Sequence, residues 1–183
     1  KVSNSASFIV KFALVGVAAL NIEPAGAQSA VGQTTVFNLA WTHTTEPWRA
    51  MNEMDMRLID DERIPLWVRY QETRDENGND ISTVILLNAD GTPAGSGRFG
   101  AAQVIENDTV RIDLAQTSFQ GSGESGSNIR VRIPVVFKQP AVQDEPYTIE
   151  MYGVDDLGGE QGPNQMGEWT VTNAAVYLPA VQR

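Results

Sequence analysis

The chain has no cysteine and a single histidine, His43, in 183 residues. The first absence excludes disulfides, thiolate metal sites and a cysteine nucleophile. The second confines any histidine-based metal site or triad to one residue. It stands in Trp41-Thr42-His43-Thr44, at a strand end, and reads as structural. Basic residues are few: 13 Lys and Arg against 23 Asp and Glu give a formal net charge of −10. No Lys/Arg stripe is present, which argues against nucleic acid and against an anionic membrane surface. No segment sustains a helical period over three turns, and no apolar run is long enough for a transmembrane helix. The G-x-S-x-G, Walker and H-E-x-x-H patterns are missing. Carboxylates this numerous carry no glycosidase signal by count. The chain therefore reads as non-enzymatic and without a cofactor.

What is present is strand pattern. Apolar residues make up 42% and charged residues 20%, which are globular values for one domain. Segments 34–41, 53–59, 64–73, 82–88, 109–114, 128–138, 147–152 and 168–178 alternate or cluster as strands, with a short one at 103–106. Pro65 places the start of its strand at an edge. Asp75-Glu76-Asn77-Gly78-Asn79-Asp80 is a hairpin turn. Segments 95–100, 120–128 and 153–167 read as glycine-rich or acidic loops. About nine strands separated by Gly, Pro and Asn turns predict an all-β fold, an Ig-like Greek-key β-sandwich.

Two other groups are weighed and set aside. Asp75, Asn77, Asn79 and Asp80, and again Asp155, Asp156 and Glu160, bring oxygen ligands together, but turn and solvated-loop roles explain them better than calcium. Trp41, Trp48, Trp67 and Trp169 have the chemistry to stack on sugars, yet most lie in strand patterns where core packing is favoured.

The most informative segment is residues 7–22, SFIVKFALVGVAALNI. With period two, one face carries Phe8, Val10, Phe12, Leu14, Gly16, Ala18, Leu20 and Ile22 and is wholly apolar. The other carries Lys11 and Asn21 among small and apolar residues. Three readings fit. Lys1, the apolar core at 12–20 and Ala25-Gly26-Ala27 match a secretory signal with its cleavage site. The run also fits the first strand of the chain's own sheet. Or it is a strand that fills a groove in another copy, adding ladder hydrogen bonds and apolar side chains by β-augmentation.

These residues carry a resemblance. The strand FIVKFALV runs into GVAALNI, then Glu23-Pro24-Ala25-Gly26, a polar connector and TTVFNLAW. At the other end stands Gly167-Glu168-Trp169-Thr170-Val171-Thr172-Asn173-Ala174-Ala175-Val176-Tyr177. The pattern resembles pilus subunits assembled by donor-strand exchange, in particular cysteine-free chaperone-usher major pilins of the class-5 (alpha) type. The chain departs from them in its greater length and its acidic 153–167 segment, and another filament lineage using strand donation fits equally well. The resemblance implies an extracellular structural subunit that forms a head-to-tail homopolymer. It also implies a periplasmic chaperone and an assembly platform as partners, and no membrane span in the mature chain. Residues 1–22 are then the donor strand, with Phe8, Val10, Phe12, Leu14, Gly16 and Ala18 as the partner-binding side chains, and 23–183 the sandwich. The rival expectations are a secreted or periplasmic binding sandwich, for carbohydrate among others, and a viral or phage structural protein.

Overall fold

A computed structural model describes residues 18–23, 26–74 and 76–173. Among them are thirteen strands: β1 Ala18–Glu23, β2 Gly26–Ala30, β3 Thr34–His43, β4 Met51–Ile59, β5 Leu66–Arg74, β6 Asp80–Leu87, β7 Pro93–Arg98, β8 Val104–Glu106, β9 Val110–Asp113, β10 Ser118–Gly121, β11 Asn128–Phe137, β12 Tyr147–Asp155 and β13 Glu160–Thr172. They form an all-β sandwich of two sheets. Sheet A runs β1-β3-β11-β9-β8, with β10 also on β11; sheet B runs β2-β13-β12-β4-β5-β6-β7.

The alternations decide which side chains face inward. Phe37, Leu39 and Trp41 of β3 and Ile129, Val131, Ile133, Val135 and Phe137 of β11 meet Met54, Met56 and Leu58 of β4, Leu66, Val68 and Tyr70 of β5 and Trp169 and Val171 of β13. Large side chains bridge the layers. Phe37 meets Trp169 edge-on at 4.9 Å between ring centroids. The Trp41 indole N–H donates to the Tyr152 carbonyl of the opposite sheet at 3.2 Å. Burial pushes the Tyr70 hydroxyl well above its ordinary range, although a hydrogen bond with Ser82 acts the other way.

The chain changes sheet between β1 and β2. Glu23 is the last residue paired with β3, and from Gly26 the chain pairs with β13, the one parallel pairing among the described residues. Ser29 of β2 pins this corner: its buried hydroxyl accepts from the Trp169 indole N–H at 2.9 Å and lies 2.6 Å from the Thr35 hydroxyl.

Four segments depart from the sequence expectations. The glycine-rich stretch at 95–100 lies largely in β7, because a Cβ at Gly95 would come within 3.0 Å of Ile105 and one at Gly97 within 2.5 Å of Leu114. Glycine here lets β7 close against the other sheet. The supposed loop 120–128 begins inside β10. The supposed loop 153–167 is mostly a hairpin: β12 continues to Asp155 and β13 starts at Glu160. Asp155 Oδ1 accepts from the N–H groups of Leu157 and Gly159, and Gly158 takes φ +79° in the turn. Lastly, Pro65 precedes a central strand rather than an edge, since β5 lies between β4 and β6.

Gly121 gives a stability test. A Cβ there would lie 2.1 Å from the Trp48 indole, which is 4% exposed and donates to the Gly123 carbonyl. Gly121→Val should lower unfolding free energy by about 2 kcal/mol or more, because the indole has no room to retreat. An unchanged urea midpoint would show that Trp48 is loosely held.

Candidate functional site

Of the residues expected to bind a partner, Phe8, Val10, Phe12, Leu14 and Gly16 lie outside the described residues. Ala18 opens β1 and pairs with His43 of the same chain. The described end of the 7–22 run thus forms the outermost strand of its own sheet A. Its facing follows the period-two reading: Ile22 is 2% exposed in the core, and Leu20 packs against that core half-buried.

The register bounds what β3 can offer. Ala18 pairs with His43 and Glu23 with Asn38, so the pairing with β1 already reaches the last residue of β3. There the chain bends at Thr44–Glu46 and leaves the sheet. His43 fixes that bend. Its Nδ1 accepts from the N–H groups of Thr45 at 3.2 Å and Glu46 at 2.8 Å, so in this geometry the ring proton sits on Nε2, 3.7 Å from Asp155 Oδ2. His43→Ala should cost about 1 kcal/mol, since two hydrogen bonds to the buried imidazole are lost while the exposed Thr45 and Glu46 N–H groups can turn to water. A denaturation curve coincident with the parent's would remove the imidazole from this role.

A second unpaired edge lies in sheet B. β12 pairs with β13 from Glu160 to Trp169, whereas β2 pairs with β13 only from Glu168 to Thr172. Among the described residues, nothing pairs with 160–167 of β13 on the side away from β12. Pro163 removes one donor from this edge, a usual guard against unwanted pairing. That leaves Asn164–Gly167 as the stretch able to form a ladder. The register shifts between Ile149 and Glu150, which leaves Met166 as a bulge residue, half-buried against the core. β1 packs across from β12 and β13. Among the described residues, the two sheets therefore leave edges unpaired on one side, with Leu20 and Met166 at the rim. Which strand ends unpaired is a tertiary fact, and polar, proline-containing 160–167 gives no strand signal in the sequence.

Asp75 lies outside the described residues, and most of the other candidates are already engaged. Trp41, Trp48 and Trp169 are at most 4% exposed, out of reach of a sugar. Trp67 lies half-buried on the outer face of sheet B, donating to Asp55 Oδ2 and facing the Arg57 guanidinium at 5.5 Å. Asp55 also takes Nε and Nη2 of Arg69. Asp155 serves the β12–β13 turn, and Asp80 pairs with Arg49 and Arg74. No helix among the described residues is long and apolar enough to cross a membrane. The chain matches no family model, no curated protein and no solved structure.

Proposed function

We propose that this chain is the structural subunit of an extracellular filament, a homopolymer in which residues 8–18 of one copy add as a strand to the open side of the next. One observation carries the reading. An apolar-faced run of strand length precedes β1, and β3 offers it no pairing positions beyond His43. Edges unpaired among the described residues, flanking a half-buried apolar rim, supply the complementary half. A head-to-tail contact of this kind does not close on itself and propagates into a fibre. No catalytic group is required. A subunit with an apolar strand awaiting its partner needs protection before assembly, the task of a periplasmic chaperone and an assembly platform. Electron microscopy of the purified chain tests the proposal. Filaments are expected, and monodisperse particles of 19.9 kDa would overturn it.

A further inference from the structure

The arginines of this acidic chain are unevenly spent. Arg49, Arg57, Arg63, Arg69 and Arg74 each pair with a carboxylate. Among the described residues Arg98, Arg111, Arg130 and Arg132 form no ion pair, and the last three stand on the outer face of sheet A. Their neighbours in sequence show the facing: Val110, Ile112, Ile129, Val131 and Ile133 are buried inward, while the arginines between them are exposed. Arg130 lies between Ala40 of β3 and Gln120 of β10, and Arg132 between Asn38 and Ser118. Small Ala40 at the centre leaves a hollow of about 490 Å³, lined by Asn38, Thr42, Gln120, Arg130 and Arg132 and, at its β1 side, by Glu23 among others. Only one of these guanidinium groups is committed: Arg132 donates to the Gln116 carbonyl at 2.6 Å.

The same chain carries the complement. The β4–β5 turn exposes Asp61 and Glu62, and the β11–β12 connection exposes Asp144 and Glu145. A hydrogen bond from Arg63 to Gln143 holds the two segments together. Asp60 is spent on Arg63: burial acts to raise its carboxyl, but the N–H groups of Glu62 and Arg63 and the Arg63 charge hold it below the ordinary range. The other four carboxylates have no ion-pair partner among the described residues. One end of the sandwich is therefore an acidic pole, and the centre of one face carries Arg130 and Arg132 without an ion pair, with Glu23 at its β1 side.

We infer that the outer face of sheet A docks a second copy of this chain, receiving the Asp61-Glu62 and Asp144-Glu145 pole through Arg130 and Arg132. A face meeting an end is a heterologous contact, so each copy still offers the other half. The contact rests on the self-assembly reading but not on strand donation. Where both operate, it sets how successive copies are turned relative to one another. Exposed charge pairs of this kind govern encounter and orientation and weaken with salt.

The test is sedimentation of the full chain carrying Phe12→Asp, which isolates this contact from strand joining, at about 0.02 M and about 0.5 M salt. At low salt it should self-associate, and high salt should disperse it. Arg130→Glu with Arg132→Glu should weaken the low-salt association about tenfold or more. Asp144→Arg with Glu145→Arg should do the same, and mixing the two charge-reversed chains should restore it. Both pairs are exposed, so an unchanged thermal midpoint confirms intact folding. A monomer at low salt, association indifferent to Arg130 and Arg132, or a mixture that does not recover would each overturn the inference. None of these results bears on whether Phe12 is needed for joining, which is read separately.

Discussion

Phe12→Asp should abolish strand joining, whereas Lys11→Asp should leave it intact. The two positions are adjacent, so in a strand they point to opposite faces. Phe12 belongs to the apolar face that continues into Leu20 and Ile22, and those two face the core. Burying a phenylalanine contributes about 2–3 kcal/mol, and an unpaired carboxylate in its place adds a desolvation cost of similar size or larger. The substitution should therefore weaken binding of the strand by about a hundredfold or more. Lys11 falls on the opposite, mixed face of the period-two pattern, and on an outward face changes stay within about 0.5 kcal/mol. The measurement is binding of synthetic peptides spanning 7–18 to the chain lacking residues 1–17. Equal affinity of the two variant peptides would refute the facing. No binding by even the native peptide would return the run to its own sheet.

Truncation should separate two roles within the 7–22 run. Removing residues 1–17 takes away only what lies before β1, and the sandwich should remain folded, β-rich and, at high salt, monomeric. Removing residues 1–23 also strips β1 from sheet A. That uncovers β3 from Asn38 to His43, deletes Ile22 from the core and leaves the inner sides of Leu39 and Trp41 open to water. Ile22 alone accounts for about 1.5–3 kcal/mol. With the lost ladder and Leu20, the total reaches a large share of a domain's usual margin of about 5–15 kcal/mol. The longer truncation should therefore aggregate or fail to refold, through an exposed apolar edge. Equal solubility and equal urea midpoints for the two truncations would show that β1 is dispensable.

The strands with clean alternation were legible in the sequence. β3, β4, β5 and β11 stand where Phe37, Met56, Val68 and Val131 mark an inner face, because one buried face and one solvated face impose period two. β7 and β10 were not, since their glycines serve close approach to Ile105, Leu114 and Trp48 and resemble loop residues until those neighbours are known. The first half of β13 was missed because both its faces are largely exposed, so nothing enforces an apolar period. β2 was hidden by its position at a corner, where short, small residues change sheet. For the candidate site, the inward facing of Leu20 and Ile22 was readable, while the edges of β1 and β13 left unpaired among the described residues depend on where β2 and β3 stop pairing. Asp55, an acidic residue between Met54 and Met56 in β4, is itself buried beneath Arg69 and Trp67, which no local pattern signals.

The most direct test of strand donation uses the absence of cysteine. A full-length chain carrying Lys11→Cys and Gln165→Cys is prepared with and without ¹⁵N, and the two forms are mixed in denaturant, refolded together and treated with a bismaleimide. A strand added beside Asn164–Gly167 places both thiols on the outer face of sheet B. Mass spectrometry of the linked peptides reads whether each bridge joins one chain or two. Donation predicts abundant bridges of mixed isotope content, and bridges confined to a single label would contradict it.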